Sequence, residues 1–527
     1  MRKFLITLTL AAALLFTLSS CGSDTAKTEK PAAAKKEETP AKNNADREMV
    51  VALPSLPSTA DSMNHSTIYA RTGLNLQTYD TLIAKDGDGN YIPNMAESYK
   101  MSDDATECAV TLRKGIKWWD GTEVKASDVK YTVERAKVSS GVQTTALADV
   151  DHVEVSDDYT FKFVLKNANV ALIEYLTYVF ILQEKFTTAA GKDYGTAPDK
   201  VMGSGPYKLV EWVPGDYLRF EAFEDYWNGA PNIKKIRLKV ITDVNAAVIA
   251  LQTGELHLYL GDIPFNSTQA IESSPKLTLE YANSNRFNYV VFNTENELFS
   301  DVRVRQAVAK GINREEMLIV ALEDAKNGTI VDSPGGPDFA GFPGTGFWPW
   351  SYNPEEAAKE IEELGKKGQS VTIATLNFEP YIKVATKLQA DLSKIGLTAD
   401  IRQMENSAFV DAVCGRGDYV LAVSFNNYGG KDCDISFSNS LSSKYGMSGN
   451  YARYKDEKLD ALILAAKSVV DPEARKAAYL EAGKYWDSVV VNVPLFVGKS
   501  TRAYSKELTI DKGLSQYDKY YHFKWAD

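Results

Sequence analysis

Two amides, an aromatic hydroxyl group and two glycines follow one another in the stretch FNNYGG, in the last quarter of the chain. The apolar run before it, from Tyr419 to Phe425, is typical of a buried strand. Asn426, Asn427 and Tyr428 stand where this strand ends, and their side chains could offer donors, acceptors and an aromatic face to a small solute. The alternative interpretation is a glycine-supported turn whose amides face solvent.

The segment from residue 353 to residue 425 predicts how this stretch is positioned. Its apolar periodicity, with Pro at helix starts and Gly at helix ends, alternates between strand and helix. Strand, helix, strand, helix and strand form a βαβαβ unit, hence a parallel sheet, and ligands bind beyond the carboxyl ends of such strands. The predicted helices are 354–364, 380–395 and 407–414, and the predicted strands are 371–376, 397–401 and 419–425.

The length and charge of the chain exclude some classes of protein. The chain has 527 residues, of which 44% are hydrophobic, and this is enough for two or three domains with their own cores. The formal net charge is −11, and no basic run is long enough to indicate a nucleic-acid-binding face. We therefore expect no nucleic-acid partner.

The first residues resemble the leader of a bacterial lipoprotein. A short basic segment precedes the apolar run 4–18, which is too short to span a membrane. Leu18, Ser19, Ser20 and Cys21 then resemble a lipobox, which implies cleavage of residues 1–20 and lipidation of Cys21. The alternative is an ordinary signal peptide that happens to contain a cysteine. Residues 21–47 lack apolar periodicity and predict a flexible tether.

Cysteine and histidine residues give no sign of a metal site or of a catalytic centre. Cys108, Cys414 and Cys433 are an odd number of widely spaced thiols, which does not fit a disulfide framework. The four histidines are scattered, so the sequence has no zinc signature. It contains neither a GxSxG elbow nor a convincing Cys/His pair. The sequence therefore predicts no metal site, no cofactor and no enzymatic activity.

Several segments between Tyr79 and the C-terminus together resemble a known family. This family is the extracellular solute-binding proteins of family 5, the substrate-binding lipoproteins of peptide- and nickel-type ABC importers. Each segment alone is weakly specific, but the ordered set is highly specific. The segments are YDTLIAKDGDGNYIPNMAESYKMSDD, LRKGIKWWDGTEVKASDVKYTVERA, MGSGPYKLVEW, YWNGAPNIKKI, ALQTGELHL, FNTENELFSDVRVRQAVAKGINREEML and YNPEEAAKEIEELG.

The resemblance implies an α/β fold of the periplasmic-binding-protein type, type II and cluster C-like, with two lobes, an inserted domain and a hinge. The βαβαβ unit would belong to the second lobe. Crossings near residues 285–288 and 497–500 would form the hinge, so that the cleft closes on its ligand. The predicted segments are domain I of the first lobe (48–93, 206–286 and 500–527), the inserted domain II (94–205) and domain III of the second lobe (287–499).

The resemblance also places three loops and two further tyrosines at the cleft. Phe425 stands where peptide binders often carry Trp, which predicts a stacking wall. His65 is the one histidine placed near the cleft, and a lone histidine is more often a hydrogen-bonding surface residue than a metal ligand. The predicted ligand-binding residues are Asn64, His65 and Tyr69 in the first loop, Asn377, Phe378 and Glu379 in the second, Phe425, Asn426, Asn427 and Tyr428 in the third, and Tyr175 and Tyr178 in the inserted domain.

Two departures from the family pattern concern the ligand. Peptide binders place an Asp shortly after the aromatic residue of the third loop, where this chain has Tyr428 or Gly429. Dipeptide-type members carry an Arg near the second loop, where this chain has Glu379. Burying the charged ends of a dipeptide without partners is costly, so the expected ligand is an oligopeptide. A nickel or other metal chelate is the alternative solute, and peptide sensing is the alternative role.

Glu379 by itself predicts a cationic or amine-bearing solute if its carboxylate faces the cleft. The alternative is a helix-capping role beside Pro380, where an acid suits the helix dipole. The resemblance further implies delivery of the solute to ABC permease subunits in the membrane, with membrane contact through the lipid. We expect a monomer on the outer face of the cell membrane of a Gram-positive bacterium.

Overall fold

The computed structural model describes residues 47–64, 68–139, 141–444, 449–510 and 519–526. The predicted signal peptide, Cys21, the tether up to residue 46 and His65 lie outside these ranges. Arg47, the last residue of that tether, packs on the folded part, because its guanidinium carbon lies 3.6 Å from the centroid of the Trp525 ring. Within the described ranges, no helix is long and apolar enough to cross a bilayer.

The strands of the described residues form one large mixed sheet, one four-stranded sheet and two small two-stranded sheets. In chain order the strands are β1 (Glu48–Leu53), β2 (Ile83–Lys85), β3 (Tyr91–Pro93), β4 (Ala96–Met101), β5 (Glu107–Leu112), β6 (Val150–Val155), β7 (Thr160–Leu165), β8 (Tyr207–Val213), β9 (Tyr217–Ala222), β10 (Lys235–Val240), β11 (Leu258–Tyr259), β12 (Leu277–Phe292), β13 (Gly328–Ile330), β14 (Ser370–Leu376), β15 (Thr398–Met404), β16 (Leu421–Asn427), β17 (Asn492–Ser505), β18 (Leu508–Ile510) and β19 (Phe523–Trp525).

In the part of the chain that the structure describes, the helices are mostly short, and two segments are π-helical, namely Arg71–Asn75 and Val410–Arg416. In chain order the α-helices are α1 (Ile68–Ala70), α2 (Leu76–Thr78), α3 (Ala126–Ala136), α4 (Val142–Ala146), α5 (Leu172–Tyr175), α6 (Glu184–Ala190), α7 (Val244–Thr253), α8 (Phe265–Glu272), α9 (Val302–Gly311), α10 (Arg314–Leu322), α11 (Pro354–Glu363), α12 (Glu379–Lys394), α13 (Asn406–Phe409), α14 (Cys433–Leu441), α15 (Glu457–Lys467) and α16 (Pro472–Val489).

The large sheet runs through both lobes as one hydrogen-bonded surface of eleven strands. Its order is β15-β14-β16-β12-β17-β11-β1-β10-β9-β8, and β13 pairs with β17 beside this path. The long strands β12 and β17 lie in the middle and connect the two lobes. The four-stranded antiparallel sheet, β4-β5-β7-β6, lies within the segment predicted as domain II.

The βαβαβ unit predicted for the second lobe is confirmed. Strand β14 pairs in parallel with both β15 and β16, and α12 connects β14 to β15. Val384, Leu388 and Leu392 of α12 are at most 1% exposed, as the predicted apolar face requires. The third strand ends two residues later than predicted, because β12 supplies partners for Asn426 and Asn427. Both amides therefore belong to the sheet and not to the loop after it.

Apolar side chains of the described residues form three cores. One core lies in the second lobe, between Phe287 and Val497. The second combines residues between Met49 and Leu258 with residues between Tyr504 and Trp525, including those of β18 and β19. A small third core packs α7 and α8 on the large sheet. The exact domain boundaries stay a prediction.

Both predicted crossings between the lobes lie in β12 and β17. The register of this pair shifts between Asn283 and Phe287, so residues 284–286 leave the ladder with β17. Arg286 nevertheless keeps its partner in β16, Asn427. Such irregularities bend a strand and re-aim its side chains, and this one lies on the floor of the cleft.

Candidate functional site: a cavity between the two lobes

A cavity of 1220 Å³ opens between the lobes above the middle of β12 and β17. The first lobe contributes the π-helical turn at Arg71 and the segment after β11. The second lobe contributes the start of α12 and the end of β16. The volume exceeds the range of about 300–1000 Å³ for ordinary small-molecule pockets. The cleft therefore has room for an extended ligand.

Aromatic rings make up much of the cavity wall. Phe265 and Tyr281 stack at the first lobe, with ring centroids 6.4 Å apart and an angle of 4° between the rings. Phe378, at the second lobe, is 52% exposed. Exposed rings of this kind offer apolar contact surface to a ligand. The ten aromatic lining residues are Tyr69, Tyr175, Tyr178, Tyr259, Phe265, Tyr281, Phe378, Tyr381, Tyr428 and Phe496.

Basic and acidic side chains line the cavity in nearly equal number, which suits a ligand that carries both charges. Several of them neutralise one another, since Arg502 Nε lies 3.1 Å from Glu280 Oε2. The basic lining residues are Arg71, Arg286, Lys383, Lys431, Lys499 and Arg502, and the acidic ones are Asp149, Asp262, Glu280, Glu323 and Glu379.

The tyrosines predicted from the first loop and the inserted domain all line the cavity. Tyr175 and Tyr178 meet edge to face at 5.8 Å, and the Arg71 guanidinium lies 4.6 Å from the Tyr178 centroid. Arg71 Nη1 also donates a hydrogen bond across the lobes to the Gly429 carbonyl oxygen, at 2.6 Å. Burial raises the pKa of Tyr69, so its hydroxyl stays a hydrogen-bond donor at neutral pH.

Phe378 and Glu379, from the second predicted loop, line the cavity. Glu379 is the first residue of α12, and its Oε1 lies 3.0 Å from Lys383 Nζ. This hydrogen bond is the main cause that raises the pKa of Lys383, which also lies 3.6 Å from Glu323. The Glu379 carboxylate therefore lies both at the cavity and in the first turn of a helix. The first position agrees with the interpretation as a cleft residue, and the second agrees with the interpretation as a helix-capping residue.

The third predicted loop divides between the cavity and the core. Asn427 and Tyr428 line the cavity, although the Tyr428 hydroxyl is bound at 2.6 Å to Ser440 Oγ. Asn426 is 6% exposed, and its amide binds the Tyr289 hydroxyl at 3.0 Å and Ser440 Oγ at 2.5 Å. The sequence predicts that Asn426 offers its amide to a solute, whereas in the structure both ends of that amide bind side chains inside the second lobe.

Phe425 was expected to form a stacking wall, but other side chains cover it. Tyr381 stacks on its ring at 5.3 Å, with an angle of 8° between the rings. The Arg286 guanidinium carbon lies 5.2 Å from the same ring. Tyr381 and Arg286 line the cavity, whereas Phe425 is not among its described lining residues. Phe425 thus supports the wall from behind, because β12 and α12 bring larger polar side chains in front of it.

Two further predicted residues lie elsewhere. Asn64 Nδ2 donates to Asp61 Oδ2 at 2.6 Å, and Asn377 Nδ2 donates to Glu405 Oε1 at 2.8 Å. Both asparagines are described, and neither is among the lining residues. The first amide stabilises a local turn, and the second connects the ends of the neighbouring parallel strands β14 and β15.

The sequence analysis missed several residues that the structure brings to the cavity. Arg71 is one of them, and its π-helical turn has no pattern that marks it in the sequence. Arg286 could have been noticed, since it is a strongly charged residue inside a predicted hinge crossing. Asp262, Tyr259 and Tyr381 come from segments without a motif. Burial raises the pKa of Tyr259 to about 12, so it too is a neutral donor.

The described residues contain no group of three or more His, Cys, Asp and Glu side chains that could hold a metal ion. The cavity itself is lined by oxygen-bearing acids that mostly pair with Lys or Arg.

Comparisons with known proteins show which family the chain resembles. The family model described as "Bacterial extracellular solute-binding proteins, family 5 Middle" matches residues 90–449. The glutathione-binding protein GsiB of Salmonella paratyphi A is 27% identical over 478 residues, which are 88% of this chain and 92% of that protein.

Solved structures share the two-lobed fold. The ABC transporter substrate-binding protein CtaP of Listeria monocytogenes has a TM-score of 0.81 at 23% identity, over 91% of this chain and 99% of that one. The oligopeptide-binding protein AppA of Bacillus subtilis, in complex with a nonapeptide, has a TM-score of 0.74 at 24% identity, over 91% and 99% of the two chains. The fold class predicted from the sequence is confirmed.

Proposed function

Because the chain belongs to the bacterial extracellular solute-binding proteins of family 5, we propose that it captures an oligopeptide in the cavity between its lobes and delivers it to an ABC importer. Membership of this family makes the chain a solute-binding protein of an ABC importer that acts outside the cytoplasm, and not an enzyme. The peptide, the lipid anchor and the monomeric state are the proposed parts.

The observation that carries the peptide proposal is the cavity of 1220 Å³ with its mixed lining. A peptide presents apolar side chains, backbone amides and two opposite terminal charges. Ten aromatic rings and nearly balanced acids and bases match each of these features. Similarity to a glutathione-binding protein and to an oligopeptide-binding protein supports a peptide-like solute.

Native mass spectrometry of the protein purified from its own cells tests this proposal. We expect bound peptides longer than two residues, which are then synthesised and titrated by calorimetry beside free dipeptides, glutathione and a nickel–histidine complex. Tight binding of the longer peptides alone supports the proposal. Binding of the nickel complex alone, or of free dipeptides alone, contradicts it.

Anchoring at Cys21 completes the proposed function. A thioether-linked lipid at this residue would hold the protein at the membrane, and residues 22–46 would connect it to the folded part that begins near Arg47. A binding protein without such a link would diffuse away from a cell that has no outer membrane. The proposal therefore fits a Gram-positive cell surface with a monomeric receptor next to its permease.

A further inference from the structure

Resting on the proposed peptide ligand, we infer that Arg286 binds a carboxylate of the ligand and is a residue that selects peptides by this group. The carboxylate comes from the C-terminus of the peptide or from an acidic side chain. This assignment places the recognition of negative charge on a strand that connects the lobes, and not on the second loop, where this chain has Glu379.

The backbone of Arg286 is paired with one neighbouring strand but not with the other. It pairs with Asn427 of β16, while residues 284–286 leave the ladder with β17. The register shift lies on the floor of the cavity, and Arg286 is one of the lining residues. A residue held by one neighbouring strand and released by the other can present its side chain to the cleft without loss of rigidity.

Aromatic neighbours hold the guanidinium in a defined orientation. Its central carbon lies 5.2 Å from the Phe425 centroid, and Phe425 itself stacks on Tyr381. The Tyr381 hydroxyl interacts with the guanidinium as a neutral partner. Stacking on a ring uses the flat face of a guanidinium and leaves the N–H groups at its edge for hydrogen bonds.

Most of the hydrogen-bonding capacity of Arg286 is unused. Within the described part of the chain, Asp262 is its one carboxylate neighbour, at 3.9 Å, and the Asp262 side chain is 68% exposed. The Nε–H group is buried and has no acceptor among the described residues. A guanidinium offers five donors, and a carboxylate can accept two of them in parallel.

Other cations of the cavity are less suited to this role. Arg502 already binds Glu280 at 3.1 Å, and Lys383 binds Glu379 at 3.0 Å. Arg71 donates to the Gly429 carbonyl oxygen at 2.6 Å, and Lys431 pairs with Asp338. Lys499 forms no ion pair with the described residues, but an ammonium group is a point charge and lacks the planar fork of a guanidinium. Lys499 is therefore the competitor that the experiment must exclude.

Two random-sequence pentapeptide libraries, one with free C-terminal carboxylates and one amidated, test the inference. The protein is incubated with each library, and the captured peptides are identified by native mass spectrometry. Capture from the acid library alone identifies the C-terminal carboxylate as the group that the protein recognises. Capture from the amidated library, with enrichment of Asp and Glu, assigns an acidic side chain instead.

The variants Arg286→Gln and Arg286→Lys then connect the preference to the residue. We expect both to weaken binding of the captured peptides by roughly 10- to 100-fold, since a charged bidentate contact is lost or reduced to one hydrogen bond. Arg416→Gln is the matched control. This variant also removes one positive charge, and the Arg416 side chain is 61% exposed and pairs with Asp411 outside the cavity.

Three outcomes overturn the inference. Equal capture from both libraries without Asp or Glu enrichment removes the carboxylate preference, while the oligopeptide proposal stands. Loss of the preference in Lys499→Gln but not in the Arg286 variants assigns the role to the competitor. Capture of no peptide from either library by the unmodified protein contradicts both proposals together.

Discussion

Single side chains set the charge of the cavity, and their surroundings decide how strongly each charge acts. Glu379 is the case in which the sequence offered two roles. Its carboxylate faces the cavity, but it is 75% exposed and bound to Lys383. Water and this lysine screen the charge, so its influence on a ligand is small.

We expect Glu379→Gln to weaken binding of a lysine-containing peptide by less than about 1 kcal/mol, relative to the same peptide with Gln in place of Lys. Glu363→Gln is the control, since Glu363 forms a similar i,i+4 pair with Lys359 at 3.6 Å outside the cavity. Calorimetry measures both. A loss well above this value for the lysine peptide alone would restore Glu379 as the main determinant of ligand charge.

Asp487 is a second residue with an unusual environment. It is 1% exposed, and neither carboxylate oxygen has a partner among the described residues. Burial raises its pKa to about 9, with a further contribution from Asp332, while Arg314 lowers it. The folded protein thus keeps this proton at neutral pH, whereas the unfolded chain releases it near the ordinary pKa of about 3.9.

The stability of the protein should therefore depend on pH through Asp487. Above pH 4 the unfolded state binds fewer protons than the folded state, so stability falls as the pH rises from about 4 to about 9. Asp487→Asn should flatten this slope and raise stability at pH 7 by on the order of 2–4 kcal/mol. Thermal unfolding between pH 4 and 9 measures the stability of the unmodified protein and of the variant. Parallel curves of stability against pH for the two proteins would contradict the raised pKa.

At the scale of elements, helix starts and strand partners position the site. The helix α11 begins as the sequence predicts, with Asn353 before Pro354, and the Asn353 side chain accepts a hydrogen bond from the Glu356 amide at 3.1 Å. The register of β12 with β17 has no such local signal, because it is set by pairing between residues about two hundred positions apart.

Asn353→Ala should cost about 1 kcal/mol of stability, because the cap of α11 is lost. Asn353→Asp is the matched control, since aspartate caps equally well and should leave stability close to that of the unmodified protein. Urea unfolding gives the free energies, and hydrogen exchange at residues 354–363 localises the effect. If alanine and aspartate behave alike, the cap does not stabilise this helix.

At the scale of the whole molecule, one continuous sheet joins two lobes whose cleft is lined from both sides. Contacts such as the hydrogen bond from Arg71 to the Gly429 carbonyl already link the lobes. A ligand closes such a cleft only if it binds the closed arrangement more tightly than the open one. The large cavity and the two connecting strands are consistent with a protein whose lobes close on the ligand.

We expect small-angle scattering to show a smaller radius of gyration when the captured oligopeptide saturates the protein. The hinge is predicted near residues 285–288 and 497–500, in the paired strands β12 and β17. Addition of a peptide that does not bind is the control and should leave the radius unchanged. An equal radius with and without the bound peptide would indicate a static receptor.

Membrane attachment is also a property of the whole molecule. Cys21→Ala should leave the precursor without lipid and release it at least partly from the membrane fraction, because no other attachment is expected. Ser19→Ala is the control, since it keeps a small residue before the cysteine. Fractionation and mass spectrometry of the N-terminus measure both, and equal retention of the Cys21 variant would exclude the lipobox.

The sequence by itself determined the fold class, the βαβαβ unit and the family. These features depend on apolar periodicity, on residues at helix ends and on ordered motifs, all of which are local along the chain. The resemblance to the family also predicted Tyr69, Tyr175, Tyr178, Phe378, Glu379, Asn427 and Tyr428 at the cleft. These residues line the cavity, and their role in binding stays a prediction.

Tertiary structure alone decided which of the expected side chains reach the cavity and which are used in the core. The Asn426 amide forms hydrogen bonds with Tyr289 and Ser440, because β12 carries Tyr289 and lies beside β16, and because α14 carries Ser440. Arg286 and Tyr381 take the place expected for Phe425 by covering its ring. Such outcomes depend on contacts between residues far apart in the chain, and the pattern of any one segment does not contain them.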